Sequence, residues 1–154
     1  MTIKINCKNL NSKRRVDLAK IEKIARKTLR FLKKDNLELN IFFFSSQKIR
    51  AMSRRFLGVD RATDVIAFPG DGTAGPAARK KGRRLPAFFG DIAISLDKAA
   101  QNAAEYGTSF TDEVTLYVIH GILHLAGYDH RTKKDNIIMR RKENEFFQKV
   151  KKSI

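Results

Sequence analysis

The chain predicts one mixed α/β (α+β) domain: a single compact unit with about four strands in a mixed sheet and about five helices packed on it. Three observations carry that expectation. Short alternating or β-branched segments interleave with longer segments of helical period, which is the pattern of a sheet layered with helices. The length of 154 residues suits a single domain, 1–154. A hydrophobic content of 42% with 11 Phe supplies a core despite 31% charged residues.

The elements follow in order. Residues 2–7 alternate through Ile3, Ile5 and Cys7 and read as a short strand. Leu18, Ile21, Ala25, Leu29 and Leu32 recur at helical spacing within 16–34, between lysines and arginines, and Asp35-Asn36 ends that helix. Alternation and aromatic content make 37–44 a strand. Ser45-Ser46 caps a helix over 47–57 with Ile49, Met52 and Phe56 on its apolar side. Residues 63–68 and 91–95 read as two further strands. A helix opens at Ser95 or Asp97 and stops at Gly107, and another starts at Thr111-Asp112-Glu113, with its acids where the helix dipole favours them. A last helix covers 132–152. Between Phe68 and Phe89 all three prolines (Pro69, Pro76 and Pro86) fall among four glycines, so a long flexible Pro/Gly-rich loop is expected at about 69–88. It carries the basic run Arg79-Lys80-Lys81-Gly82-Arg83-Arg84.

The charge is lopsided. Lys+Arg number 32 against 16 Asp+Glu, a formal +16 with pI near 10.3. A field of that sign recruits polyanions, and nucleic acid is the expected partner. One cysteine, Cys7, makes neither an internal disulfide nor a Cys-rich zinc site and reads as a small packed side chain. The amino terminus lacks the apolar region of a signal peptide, and no run of 18 apolar residues exists, so a cytoplasmic protein is expected, with no membrane partner.

All three histidines lie within His120-Gly-Ile-Leu-His124-Leu-Ala-Gly127-Tyr-Asp-His130. A spacing of four puts His120 and His124 on one helix face, with Cβ atoms about 5–6 Å apart, which suits two ligands of one cation. Gly127 ends the helix in the left-handed conformation and turns the chain so that His130 returns to the same ion. Three neutral imidazoles leave a divalent ion an open position, the pattern of a catalytic site, whereas structural zinc usually takes four protein ligands. Zinc is the first expectation from imidazole ligation, with nickel, copper and iron sharing that donor preference. The spacing H-x-x-x-H-x-x-G-x-x-H is that of metzincin proteases, which place a general-base glutamate after the first histidine. Here that position is Gly121, which takes no proton, so peptide hydrolysis by that route is disfavoured.

The run HGILHLAGYDH resembles the H-G-x-L-H-L-x-G-Y-D-H signature of the YbeY family, bacterial endoribonucleases of ribosomal RNA maturation. Thr63-Asp-Val-Ile-Ala-Phe-Pro69 resembles that family's T-D-V-L-S-F-P, and Gly90-Asp-Ile-Ala-Ile-Ser95 its G-D-I-V-I-S. The resemblance implies a compact α/β fold with one divalent metal, zinc first, on His120, His124 and His130. It implies single-strand-specific cleavage of RNA, including processing at the 3′ end of 16S rRNA, with the ribosome and its proteins as further partners and no DNA specificity. Two positions depart from the family: its arginine ahead of a glycine is Leu57 here, with Arg54 and Arg55 just upstream, and its proline before the threonine is Ala62.

The expected chemistry is metal-assisted phosphodiester cleavage, by water or by the RNA 2′-hydroxyl, the latter ending in a 2′,3′-cyclic phosphate. The catalytic groups stay open. Arg55 is a candidate for stabilising the transition-state charge, and Asp129, beside a ligand, is a weak base candidate that reads better as support for a histidine N–H. Asp91 reads as a strand-end residue, Glu113 as a helix-start residue and Tyr128 as a packing residue. The alternatives are a non-catalytic RNA-binding ribosome-assembly factor with a structural metal and, less favoured, a metalloprotease. Lys80, Lys81, Arg83 and Arg84 are the loop candidates for RNA contact, beside basic surfaces on the first and last helices. Changing those four together to alanine should weaken RNA binding and flatten its salt dependence; an unchanged affinity and slope would make the loop a bystander.

Overall fold

Strand β1 (Ile3–Asn9) forms one edge of the sheet, and the apolar repeat after it folds as helix α1 (Leu18–Phe31). The computed structural model describes residues 2–58, 64–71, 79–80, 83–84, 86–129 and 131–153. Asp17 caps α1 by accepting from the Lys20 amide at 3.1 Å. The buried face is Ile21, Ile24, Ala25, Thr28 and Leu29, so Ile24 and Thr28 join the stripe read from the sequence. Thr28 tolerates burial because its hydroxyl donates to the Ile24 carbonyl at 2.8 Å. Lys33 and Asn36 then take left-handed backbone, with φ of 55° and 52°, and lead into β2 (Leu37–Phe44).

Burial alternates residue by residue along β2. Its inward set (Leu37, Leu39, Ile41 and Phe43) joins Ile5, Ile92 and Ile94 in a core shared with α1 and with helix α4 (Phe110–Leu125). The opposite face is covered beside β6 by α2 (Ser46–Leu57), where Ile49 packs with Ile66 and Ala93. Strands β3 (Val65–Pro69) and β6 (Ala87–Ser95) complete the sheet, in the order β1-β2-β6-β3. The first three are parallel and β3 runs antiparallel to β6. Helices α3 (Leu96–Tyr106) and α5 (Lys133–Lys152) finish the domain, so the four-stranded mixed sheet with five helices matches the expected class. Cys7 is half-buried on β1, and burial, reinforced by the charge of Glu22, pushes its thiol up to about 11.

The segment 69–88 is less irregular than its composition predicts. Pro69 belongs to β3, and β4 (Arg79–Lys80) and β5 (Arg83–Arg84) pair as a two-residue antiparallel ladder. Ala87 and Phe88 already belong to β6, which therefore starts four residues before the expected strand. The cause is pairing: the Ala87 amide donates to the Asn36 carbonyl at 3.0 Å, and Ala87 and Phe88 align with Leu37 and Glu38. Residues 72–78, 81–82 and 85 lie outside the described residues. Asp91 is consequently inside β6, not at a strand end, and accepts from the Asn40 amide at 2.9 Å.

Asp97 ties three segments together at the other end of the sheet. Its Oδ2 accepts from the Ser46 backbone amide at 2.8 Å, and its Oδ1 accepts from Arg14 Nε at 2.9 Å and Asn11 Nδ2 at 3.3 Å. Burial works against its charge, but the Ser46, Arg14 and Asn11 hydrogen bonds and the Arg14 charge outweigh that, holding the carboxyl below its ordinary value. A carboxylate depressed in the folded state stabilises the fold above its unfolded pKa and loses that contribution as pH falls through the folded one. Asp97→Ala should therefore cost about 2 kcal/mol in urea unfolding at neutral pH. The gap to the parent protein should close as pH drops below the ordinary carboxylate range, and a gap independent of pH would contradict this account.

Candidate metal centre

Helix α4 is the central helix of the layer, buried at nine positions from Glu113 to Leu123. Ser109 caps it by accepting from the Asp112 amide at 3.0 Å, and Asp112 and Glu113 occupy its first turn. Glu113 accepts from the Thr108 hydroxyl at 2.7 Å, which confirms a helix-start role. The sequence is apolar on nearly every side because one face meets the sheet and others meet α1, α3 and α5.

The two histidines stand on the last two turns, with parallel rings (interplanar angle 7°) and centroids 6.5 Å apart. Gly121, next in sequence, points about 100° around the helix, toward the sheet. A Cβ there would sit 2.8 Å from the Ile92 side chain, so only glycine lets α4 approach β6 this closely. The position that carries a proton acceptor in metzincins is thus buried packing in this chain. Past His124, the amides of Gly127 and Tyr128 donate to the His124 and Leu123 carbonyls at 3.1 and 3.0 Å, and Gly127 takes φ 103°. The chain turns where the spacing predicts. His130, the third expected ligand, lies outside the described residues, and among the described residues no group of three His, Cys, Asp or Glu is set to hold a metal ion.

Sequence reasoning missed Glu143. Its Oε1 accepts a hydrogen bond from Nδ1 of His120, and its side chain is 21% exposed. An ionised carboxylate only accepts, so Nδ1 carries the hydrogen, and in the neutral ring the lone pair sits on Nε2. Carboxylate–imidazole contacts of this kind orient metal ligands and raise their basicity. Burial lowers the proton affinity of His120, but the Glu143 hydrogen bond and charge, with a further contribution from Asp64, reverse the sign and raise its pKa. A signal for Glu143 existed: Met139, Glu143, Phe146 and Val150 are spaced 4, 3 and 4 along α5, so an acid occupies a buried stripe. The Nδ1 of His124 is buried as well, so Nε2 is the nitrogen that a cation would use on both rings.

The other candidates are placed as follows. Arg55, in the last turn of α2, lies over the Phe56 ring at 5.3 Å from its centroid. Leu57, at the family's arginine position, is exposed. Asp129 accepts from Arg131 Nε at 2.7 Å, and the carboxylate on His120 is that of Glu143. Tyr128 packs against the main core. Lys80, Arg83 and Arg84 belong to the β4–β5 ladder, while Lys81 lies outside the described residues. No helix of the described residues is long and apolar enough to cross a membrane.

Comparison with known proteins gives the family of a chain with this mixed sheet and this histidine pair on a glycine-packed helix. Residues 6–151 match the family described as Endoribonuclease YbeY. Proteins named Endoribonuclease YbeY from Thermoanaerobacter sp. (strain X514) and Geobacillus kaustophilus are 35% and 38% identical over 144 and 111 residues. These alignments cover 88% and 72% of this chain and 91% and 71% of the relatives. The solution structure of TM1509 from Thermotoga maritima superposes with a TM-score of 0.60 at 28% identity, covering 97% of this chain and 89% of that one. The chain belongs to the YbeY endoribonuclease family, enzymes that hydrolyse phosphodiester bonds. That membership sets it apart from the metalloproteases whose histidine spacing it shares and from a purely non-catalytic factor.

The glycine contact has a measurable cost when broken. Gly121→Ala should destabilise the fold by about 1–3 kcal/mol, and a double-mutant cycle with Ile92→Val should return a coupling energy. Additive effects would show that the two side chains do not meet.

Proposed function

We propose that this protein is a single-strand-specific, metal-dependent endoribonuclease that processes ribosomal RNA, including the 3′ end of 16S rRNA, in the cytoplasm during ribosome biogenesis. The observation that carries the metal reading is the pair of parallel imidazoles on successive turns, with Nδ1 of His120 taken by Glu143. Such a donor set fits a zinc-like divalent ion, with nickel sharing the preference, and His120, His124 and His130 would hold it. A divalent ion bound there supplies Lewis acidity toward a phosphoryl oxygen and the leaving oxygen.

The chain's own groups do the positioning. Glu143 fixes the tautomer and the ring plane of His120 through Nδ1, and the negative charge of Asp64 acts on the same imidazole. Gly121 contributes no proton acceptor, so base chemistry falls to another group, with Asp129 the candidate beside the third histidine. Arg55 is a candidate to oppose charge developing on phosphate. A formal charge of +16 favours an anionic polymer, and binding through phosphates is expected to fall steeply with salt. The ribosomal target and the single-strand preference follow what the resemblance to the family implies, and the compartment follows the amino-terminal sequence and the lack of a long apolar run.

Cleavage of single-stranded ribosomal RNA fragments by the purified protein tests this reading, with His124→Ala, Glu143→Gln and a chelated sample alongside. The metal-loaded parent should cut, His124→Ala and the chelated sample should not, and Glu143→Gln should lose about 10–100-fold in metal affinity. Equal cutting by all samples would remove the metal centre from the reaction. Binding without cutting by any of them would leave RNA recognition and overturn catalysis at these histidines.

A further inference from the structure

The geometry points to a second phosphate-binding site, at the C-terminal end of α1 against the edge strand β1, which takes the RNA backbone away from the histidine pair. It rests on the endoribonuclease reading and extends it to where the substrate lies. A cavity of about 370 Å³ opens there, lined by Ile3, Arg26, Arg30, Lys33, Lys34 and Asp35. Four cations thus face one acid. Arg26 is held at the wall: its Nη1 donates to the Ile3 carbonyl at 2.7 Å and its Nη2 to Glu22 at 3.0 Å. Asp35 turns one carboxylate oxygen to the Asn36 amide. Among the described residues no ion pair engages Arg30, Lys33 or Lys34. Like charges gathered in a concave space repel one another, and an anion in that space reverses the sign of the interaction.

The backbone gives a second indication. Cations in the last turn of a helix are favoured by its dipole, which accounts for Arg30. It does not account for Lys33, which sits at φ 55°, a conformation that usually falls to glycine or asparagine at a helix end. The Lys33 and Lys34 amides close that turn on the Arg30 and Leu29 carbonyls at 2.9 Å each. A lysine kept at a strained position on the rim of a cationic cavity is the kind of outlier that marks a binding site.

The location suits an extended substrate. Ile3 pairs with Leu37 and Leu37 with Ala87, so the cavity lies at the end of the sheet where β6 begins. A Cβ at Gly90, three residues along β6, would meet Leu125, the last residue of α4, so the histidine-bearing end of that helix faces the same way. Contacts connect the two places. Glu143 holds His120; Lys142 and Lys149, which share Glu145 as ion-pair partner at 3.4 and 3.1 Å, lie over the Phe146 ring at 5.7 and 5.8 Å, and Phe146 packs at 5.8 Å on Phe31, beside Arg30. An RNA strand at the histidines that crosses these two lysines arrives at the cavity, where phosphate contacts set its register without reading bases.

The test uses the protein carrying Arg30→Gln, Lys33→Gly and Lys34→Gln, with Lys48→Gln on the exposed face of α2 as control. Affinity for a single-stranded RNA oligonucleotide is measured across salt concentrations. The triple variant should bind at least about tenfold more weakly at low salt, and its log–log salt slope should be shallower by about 2, as expected for three lost phosphate contacts on a single strand. In cleavage, KM should rise with kcat unchanged. Lys33→Gly alone removes a charge and the backbone strain together, so it should fold at least as well as the parent while losing about 0.7 of the slope. Titration with inorganic pyrophosphate, followed by the amide resonances of residues 33 and 34, separates the possible sources of the phosphate. A pyrophosphate response with an unchanged RNA slope would assign the cavity to a free phosphate ligand and overturn the RNA site. A slope no different from that of Lys48→Gln, with no pyrophosphate response, would overturn the site altogether. Cleavage by the parent protein is untouched by either result, whereas failure of the endoribonuclease reading shows as no cleavage by the parent.

Discussion

Helix α4 rests on strand β6 at a separation that only glycine permits, and the site depends on that closeness. Gly121 meets Ile92 from the helix side, and Gly90 lies under Leu125 and the Phe68 carbonyl from the strand side. Two glycines, one on each element, fix both the height and the rotation of the helix. Rotation decides the chemistry: with residue 121 against the sheet, residues 120 and 124 are turned toward α5 and the start of β3. Helix α5 then lies antiparallel along α4 in one register, with Glu143 on His120 near one end and Lys151 on Asp112 at 3.0 Å near the other. The carboxylate that orients His120 is therefore placed by the length of helix–helix contact as much as by its own hydrogen bond.

What the sequence discloses follows the range of the interaction. Caps and periods are local, so Ser45, Ser95 and Gly107 act as their residue types suggest, and the four-residue spacing of His120 and His124 translates directly into a stacked pair. Registers are not local. Nothing near Ala87 announces that it will pair with Leu37, and its neighbours in sequence are Pro86 and a basic run, so the beginning of β6 is hidden until β2 is in place. Glu143 was hidden for a related reason. It follows Arg140-Arg141-Lys142, so it reads as one more charge on a solvated helix, although its spacing from Met139 and Phe146 puts it on the buried side. The part played by Asp64 at His120 depends on β3 and α4 packing together, which no short-range pattern encodes.

The charges divide by task. Several of the acids are committed inside the fold: Asp97 to the start of α2, Glu143 to a histidine, Asp91 and Glu38 to a line of asparagine amides across the outer face of the sheet. Carboxylates used in this way organise the fold and present little negative charge to a polyanion. The cations are mostly surface residues at helix ends and on exposed faces, and some rest on aromatic rings, as Lys149 does on Phe31 and Arg55 on Phe56. Among the described residues no lysine or arginine is buried, so their share of the positive excess faces outward, where an RNA backbone would meet it.

The lone cysteine offers a view of motion that the other residues do not. Cys7 sits on the edge strand β1 with its thiol pushed up to about 11 by burial and by Glu22, so in the closed fold the reactive thiolate is scarce near neutral pH. When β1 detaches from both β2 and α1, which carries Glu22, both causes vanish and the thiol regains ordinary acidity. Alkylation of this one sulfur is therefore slowed in the closed fold and speeds up on opening of the strand that also walls the cationic cavity at Ile3. Its rate is a clock for how often that edge of the molecule comes apart.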